Sequence, residues 1–427
     1  MKVVSPVVSS GYAPYTRAGT AYYVSEAGAM TAAAPDVVRF DWTGGEFRGA
    51  LVEPAATNLL LNSVTLVTQT VAVSAGQTYT LSFFGFGWVQ MSGASVQLLN
   101  GVGGSPGIGG RASLTFTASS NSLTLTVSLT VTYAQLELGS AATSYILTTT
   151  AAATRAACVV TGYGLIASSF ADATPLYNAG TTYALDAVVR VAPRLYKSLQ
   201  AANTGHTPAT SPTWWVDNGP DNPYAMLDQQ VSTQTIGASG TEQFALRLPS
   251  NVDAVAVLNT VSTSVRAAVS DGYSHFSSQT RTGAIESAIF SGFVTGNTVS
   301  VQLNNSGLLA NAGEVIMGTM IAAGETQYGV SVELIDYSKK VTDEFGVTTF
   351  VPRGFTKLVS GQMVVKKATF NYTLDLLFSL RAKPIVAIVT DDVEWGGANV
   401  YCYIRSLKAV IEYPTESLYS FEFAGLL

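Results

Sequence analysis

The sequence predicts an all-β protein of several tandem domains: β-sandwiches of jelly-roll type, a small three-stranded module and a C-terminal β-rich domain. Three observations lead there. Polar and apolar residues alternate strictly in short runs, as in Thr68-Gln69-Thr70-Val71-Ala72-Val73 and Leu123-Thr124-Leu125-Thr126-Val127. Period-two alternation marks a half-buried strand, and turn residues between such runs mark a sandwich. The chain has 427 residues, of which 47% are hydrophobic, enough for several cores rather than one. Charged residues make up only 12%, about half the usual share. Solubility therefore rests on Ser, Thr, Asn and Gln, as in extended β-rich assemblies whose surfaces partners partly cover.

Residues 1–48 hold short β-type pieces around Gly and Pro, with Tyr12, Tyr15, Tyr22 and Tyr23 among small residues. They read as an N-terminal arm or attachment segment, or else as an edge strand of the next domain. Residues 49–160 carry the clearest sandwich signal. Ala75-Gly76-Gln77 turns the chain between two alternating runs. Leu114-Thr115-Phe116 and Leu123 to Leu129 are expected to form a hairpin across Ser119-Ser120-Asn121. The Gly-rich stretch Asn100 to Gly110 is expected to be a loop.

Two separated motifs frame this domain. Gly49-Ala50-Leu51-Val52-Glu53-Pro54-Ala55-Ala56-Thr57-Asn58-Leu59-Leu60 precedes it. Ala134-Gln135-Leu136-Glu137-Leu138-Gly139-Ser140 and Ala142-Thr143-Ser144-Tyr145-Ile146 close it, followed by Thr154-Arg155-Ala156-Ala157. Together they resemble the lectin-like jelly-roll domain of phage tail-fibre and minor tail proteins. The resemblance covers about a quarter of the chain. It implies a sandwich of carbohydrate-binding type, often with a structural role.

Residues 170–228 form a compact module. Tyr177-Asn178-Ala179-Gly180-Thr181-Thr182-Tyr183, Val188 to Val191, Arg194 to Leu199, Asn203 to Pro208 and Thr213-Trp214-Trp215 follow one another. The segment resembles the short chitin/cellulose-binding modules that recur in phage tails. Leu185-Asp186-Ala187 stands where those modules carry a Gly before the central strand. The resemblance implies three short strands with aromatics on one face. A pyranose presents an apolar C–H face that stacks on a flat ring, each contact contributing about 1 kcal/mol by analogy with aromatic packing. Tyr177, Tyr183, Tyr196, Trp214 and Trp215 are the candidate carbohydrate-binding residues. With so small a core, one of the two tryptophans is expected to be packing.

Residues 229–335 read as a second sandwich. Asn251 to Leu258 and Ser262 to Val269 look like paired strands, and Thr298 to Leu303 like another. Residues 336–427 form the C-terminal β-rich domain, with one short helical candidate at Asp375 to Arg381. The segments Gln327 to Gly346 and Val351 to Lys357 resemble a region near the C-terminus of the same phage tail proteins, so the order of modules matches as well.

Net charge is −6, and the lysine pairs Lys339-Lys340 and Lys366-Lys367 are isolated. A duplex binder needs a concentrated basic face, so nucleic acid is not an expected partner. No apolar run reaches the about 18 residues of a membrane span, and no secretion signal is evident. Cys158 and Cys402 form no metal or disulfide pattern. Two buried thiols are expected in a reducing cytoplasm, one long-range bridge being the alternative.

The two histidines are His206, read as a loop residue, and His275, which follows Tyr273-Ser274 near Asp271 and reads as a surface turn rather than a triad member. No nucleophile elbow is present. Asp336 with Asp343-Glu344 reads as solvated or paired with Lys339 and Lys340. Asp391-Asp392-Val393-Glu394 reads as an acidic hairpin loop, with a cation site through oxygen ligands as the alternative. Neither establishes the facing carboxyls of a glycosidase. No catalytic residue, metal or cofactor is expected. The resemblances imply a virion protein of the phage distal tail, made in the host cytoplasm. Its expected partners are other tail and baseplate proteins, further copies of itself in a homo-oligomer, favoured as a trimer, and a host surface glycan. A structural connector and a polysaccharide depolymerase are the alternatives.

Overall fold

Alternation in the sequence becomes layered sheets: 49% of the residues lie in strands and 7% in helices, in several antiparallel sheets, so the fold is all-β and multidomain. The computed structural model describes residues 1–7, 12–270, 276–293, 297–342 and 344–426. Asp271, Tyr273, Ser274, His275 and Asp343 lie outside the described residues.

The jelly-roll-like sandwich has two sheets. One runs Leu98–Asn100, Trp88–Gly93, Ser122–Ser128, Gln69–Ala72; the other runs Ala112–Thr117, Thr78–Phe84, Thr132–Leu138. The inward residues of the alternating runs, among them Val71, Leu123 and Leu125 on one side and Leu81, Phe83 and Leu136 on the other, make a single core. Leu114 to Phe116 and Leu123 to Ser128 do not form the expected hairpin. Ala112–Thr117 pairs with Thr78–Phe84, and Ser122–Ser128 pairs with the opposite sheet. The turn between them is an arch over the core, because each sheet needs one of the two apolar faces.

Residues 101–111 contain no strand. The loop they form is where the N-terminal segment docks. The Ala21–Val24 and Met30–Ala33 hairpin turns through Gly28, which has φ +75°. A Cβ on Gly107 would lie 2.1 Å from Gly28 Cα, so only glycines allow this backbone contact. Gly44 N–H donates to Pro106 O at 3.0 Å in the same region.

The motif residues that frame the sandwich converge inside it. Asn58 Nδ2 donates to Ala134 O and Ile146 O, and its Oδ1 accepts from the Leu60 and Leu136 amides. Glu53 accepts from Arg39 at 2.8 Å, from the Ser144 amide at 2.6 Å and from Ser144 Oγ at 2.7 Å, with Arg155 at 3.4 Å. Asn58 and Glu53 therefore join the start of the domain to its close.

Most strands of the C-terminal half join one 15-stranded sheet, beside a separate two-stranded one, Lys339–Thr342 with Thr348–Val351. The path of the large sheet runs from Gly164–Ser168 through Thr241–Arg247, Thr298–Asn304, Ala254–Ser270 and Glu314–Ala322 to Lys2–Pro6. It continues through Ile385–Ile388, Val400–Val410, Glu416–Gly425 and Phe355–Lys366. Lys2–Pro6, in the stretch read as an arm, is thus a central strand between Glu314–Ala322 and Ile385–Ile388. It joins strands of the 229–335 and 336–427 segments into one sheet. Val3 packs with Val359, Ile385 and Phe421, and Val4, on the other face, with Ala256, Ile316 and Tyr401. Asn251 to Leu258 and Ser262 to Val269 are not paired with each other. They belong to one strand, Ala254–Ser270, whose register with Phe276–Ser291 shifts between Leu258 and Ser264. Asn259 sits there at φ +48°, which makes a bulge where the sequence suggested a turn. The helical candidate is present as Phe370–Ser379. Both cysteines are free thiols; Cys402 is buried and Cys158 half-buried, its Sγ accepting from Tyr15 Oη at 3.2 Å.

Candidate functional site

The small module is a three-stranded antiparallel sheet, Val188–Val191, Arg194–Ser198 and Trp215–Pro220. Asp186 takes φ +67°, the left-handed conformation that glycine favours, so the aspartate does fill the turn before the first of these strands. Its carboxylate is held by Lys197 at 2.7 Å across the sheet. Residues directly opposite in an antiparallel ladder share a face. Val189 faces Tyr196, and Ser198 faces Trp215.

Three of the five candidate aromatics form one cluster. Tyr177 and Tyr183 stack with centroids 5.9 Å apart and planes 25° apart. Trp215 meets both edge-on, at 6.0 Å and 5.2 Å. Trp215 is only 2% exposed, and its Nε1 donates to His206 O at 2.7 Å. It is the module's core rather than part of a binding surface, because its place opposite Ser198 turns it inward under the two tyrosines. Tyr177, Tyr183 and Tyr196 are half-buried. Tyr183 Oη donates to Asn178 O and accepts from the Asn178 amide. Tyr196 stands apart from the stacked cluster, beside Asp217, which the Arg194 guanidinium grips with contacts of 2.7 to 3.1 Å.

Trp214 belongs to a second arrangement. Its ring stacks on His206 at 3.8 Å with planes 11° apart, and both residues are half-buried. His206 Nδ1 lies 3.0 Å from Asn203 Oδ1, and Asn203, itself buried, donates to Ser198 Oγ at 2.9 Å. His206 is therefore a positioning residue for Trp214. The sequence offered only its nearness to the tryptophan pair as a signal. The imidazole covers one face of the Trp214 ring.

The described members of the acidic clusters have separate partners. Asp391 pairs with Lys2 at 2.8 Å, and Asp392 caps the 3-10 turn Val393–Ala398 by accepting from the Glu394 amide. Asp336 accepts from the Ser338 amide. Among the described residues no three His, Cys, Asp or Glu side chains come together as metal ligands, and no helix is long and apolar enough to cross a membrane.

No protein-family model matches the chain, and no curated protein does. Among solved structures, a GH78-family rhamnosidase from Bacillus sp. GL1 is similar over 75% of this chain and 36% of its own, at 10% identity and a TM-score of 0.20. A likeness at that TM-score carries no argument about fold or activity.

Proposed function

We propose that this chain is a non-enzymatic structural protein of the bacteriophage distal tail, in a fibre or tail tip, that presents a carbohydrate-type binding surface for attachment to the host. The observation that carries the reading is the aromatic set of the small module, with Trp214 held flat on His206 and, in a separate cluster, Tyr177 and Tyr183 stacked on each other. The motifs that resemble phage tail proteins, and their order along the chain, supply the virion part of the reading. Several such modules on one homo-oligomer add their weak affinities, since each later contact is intramolecular.

The test is binding of the intact protein to host cells and isolated surface polysaccharide, with Trp214→Ala beside it. The variant is expected to keep its melting behaviour and to lose about tenfold or more in apparent affinity, one stacking contact per module multiplied over the oligomer. Saturable binding unchanged in Trp214→Ala defeats the reading. Trp215→Ala is a folding control. It removes the ring on which Tyr177 and Tyr183 rest and is expected to cost about 3 kcal/mol, enough to unfold so small a module.

The structural connector is favoured by a different observation. Among the described residues the strand Ser331–Asp336 pairs only with Phe355–Lys366, and Tyr328, Leu334, Phe350 and Phe355 are all more than half exposed. An open edge with apolar neighbours suits contact with another tail protein. Failure of the wild-type protein to bind any host surface, together with stable association with a tail protein, would establish that role instead.

A further inference from the structure

The N-terminal segment and the three-stranded sheet of the jelly-roll enclose a cavity of about 270 Å3. Phe84, Tyr145 and Tyr23 supply flat apolar walls, and Thr43 and Ser113 supply hydroxyls. Arg111 stands in the wall with its guanidinium 6.0 Å from the centre of the Phe84 ring. Its Nη1 donates to Thr143 O, whereas Nε and Nη2 are shut off from solvent and have no hydrogen-bond partner among the described residues.

The neighbouring carboxylates are engaged by other groups. Both oxygens of Glu53 are taken by Arg39 and Ser144. Glu137 is held by the Thr143 amide and hydroxyl. Asp41 accepts from the Val24 amide and from Thr43 through both its amide and its hydroxyl. Arg39 and Arg155 each have a carboxylate within an ion pair; Arg111 has none in hydrogen-bonding contact. Burial lowers the proton affinity of its guanidinium, and the charges of Glu137, Glu53 and Asp41 only partly restore it. A cation whose Nε and Nη2 edge is unpaired is matched by a carboxylate, which accepts two parallel hydrogen bonds from that edge.

We infer that this cavity is a second binding site, for a carboxylated sugar unit of hexuronate type. The carboxylate pairs with the Nε and Nη2 edge of Arg111, an apolar ring face lies on the aromatic wall, and hydroxyls meet Thr43 and Ser113. The volume holds a single sugar ring with room to spare, more than an inorganic anion fills. Seating the ligand requires the outer bonds of Arg111 to turn the edge toward the cavity, against its hydrogen bond to Thr143 O and its contact with the Phe84 ring. The site is independent of the small module and of the reading built on it.

The experiment is calorimetric and saturation-transfer NMR titration of the full chain with glucuronate and galacturonate, against glucose, galactose, acetate and inorganic phosphate. Saturable uronate binding with a Kd of roughly 1 mM or below is expected, at least tenfold tighter than the neutral sugars, acetate or phosphate. Arg111→Lys keeps the charge and loses the fork, and a tenfold or greater weakening is expected. Ser113 is exposed at the cavity, so Ser113→Trp fills it without touching the core and is expected to abolish binding with unchanged melting. Trp214→Ala is expected to leave uronate binding intact. No saturable uronate binding, equal binding of phosphate or of neutral sugars, or binding that survives Ser113→Trp each overturns the inference.

Discussion

Replacing Glu314 by glutamine is expected to stabilise the large sheet strongly at neutral and alkaline pH and hardly at all near pH 4. Glu314 begins the strand Glu314–Ala322 and is 2% exposed. Its backbone neighbours in the sheet are the apolar residues of Ala254–Ser270, with Leu258 directly opposite. One backbone amide, Gln229 N–H, donates to its carboxyl at 3.0 Å. Burial, and next the charge of Asp228, push the Glu314 carboxyl up to about 9, against a smaller opposing effect of hydrogen bonds from Gln229 and Gln230. A group raised in the folded state contributes its full stability below the unfolded value, here the ordinary 4.5, and loses it as pH climbs through the folded value. At about 1.4 kcal/mol per pH unit, the wild type has lost about 3 kcal/mol of that contribution by pH 7 and on the order of 6 kcal/mol by pH 9. Glutamine keeps the shape and the acceptor and has no proton to lose. Urea unfolding of both proteins from pH 5 to 9, followed through hydrogen exchange of the Val315 and Met317 amides, reads the difference. Parallel pH profiles would show that Glu314 is solvated or paired in the folded protein and would defeat the prediction.

Alternation in the sequence established which residues face a core, and it did so correctly at Val71, Leu81, Leu123 and Leu125. It could not say which sheet a strand joins, because period two describes one strand and not its partner. Leu114 to Phe116 and Leu123 to Ser128 were adjacent in sequence and went to opposite sheets for that reason. The bulge at Asn259 had the composition of a turn, since asparagine serves both. Lys2–Pro6 finds partners more than 300 residues away, a pairing no local pattern encodes. In the small module the residue types of the site were legible, but the two adjacent tryptophans were equivalent until register placed Trp215 opposite Ser198. The Arg111 cavity was not legible at all, because its walls come from segments near residues 23, 43, 84, 111 and 144 that only folding brings together.

The motif residues Glu53, Ser144 and Arg155 carry the second large prediction: Glu53→Ala is expected to cost roughly 5 kcal/mol and to unfold the jelly-roll. The side chains of Glu53, Arg39 and Arg155 are at most 1% exposed. Burial by itself raises the Glu53 carboxyl, but Arg155, Arg39 and the Ser144 hydrogen bonds outweigh it and hold the group below its usual range. Glu53 therefore contributes stability at every pH above that range and loses it only as acid protonates the folded carboxylate. Removing it takes the carboxylate away from two buried guanidiniums, the situation in which breaking a buried ion pair costs about 3–5 kcal/mol. Urea unfolding at pH 7 of the wild type and variant measures the loss, and a cost under about 1 kcal/mol would mean that water reaches the cluster. The converse substitution separates stability from specificity. Converting Glu53, Arg39 and Arg155 together to apolar residues of similar volume removes the desolvation cost along with the attraction, and it is expected to be near neutral in stability. It would nonetheless release Ser144, whose amide and hydroxyl are both anchored on Glu53, and Ser144 lines the cavity beside Arg111. Loss of uronate binding in a triple variant that still folds would mean that the buried charges hold the cavity wall in place rather than the domain together.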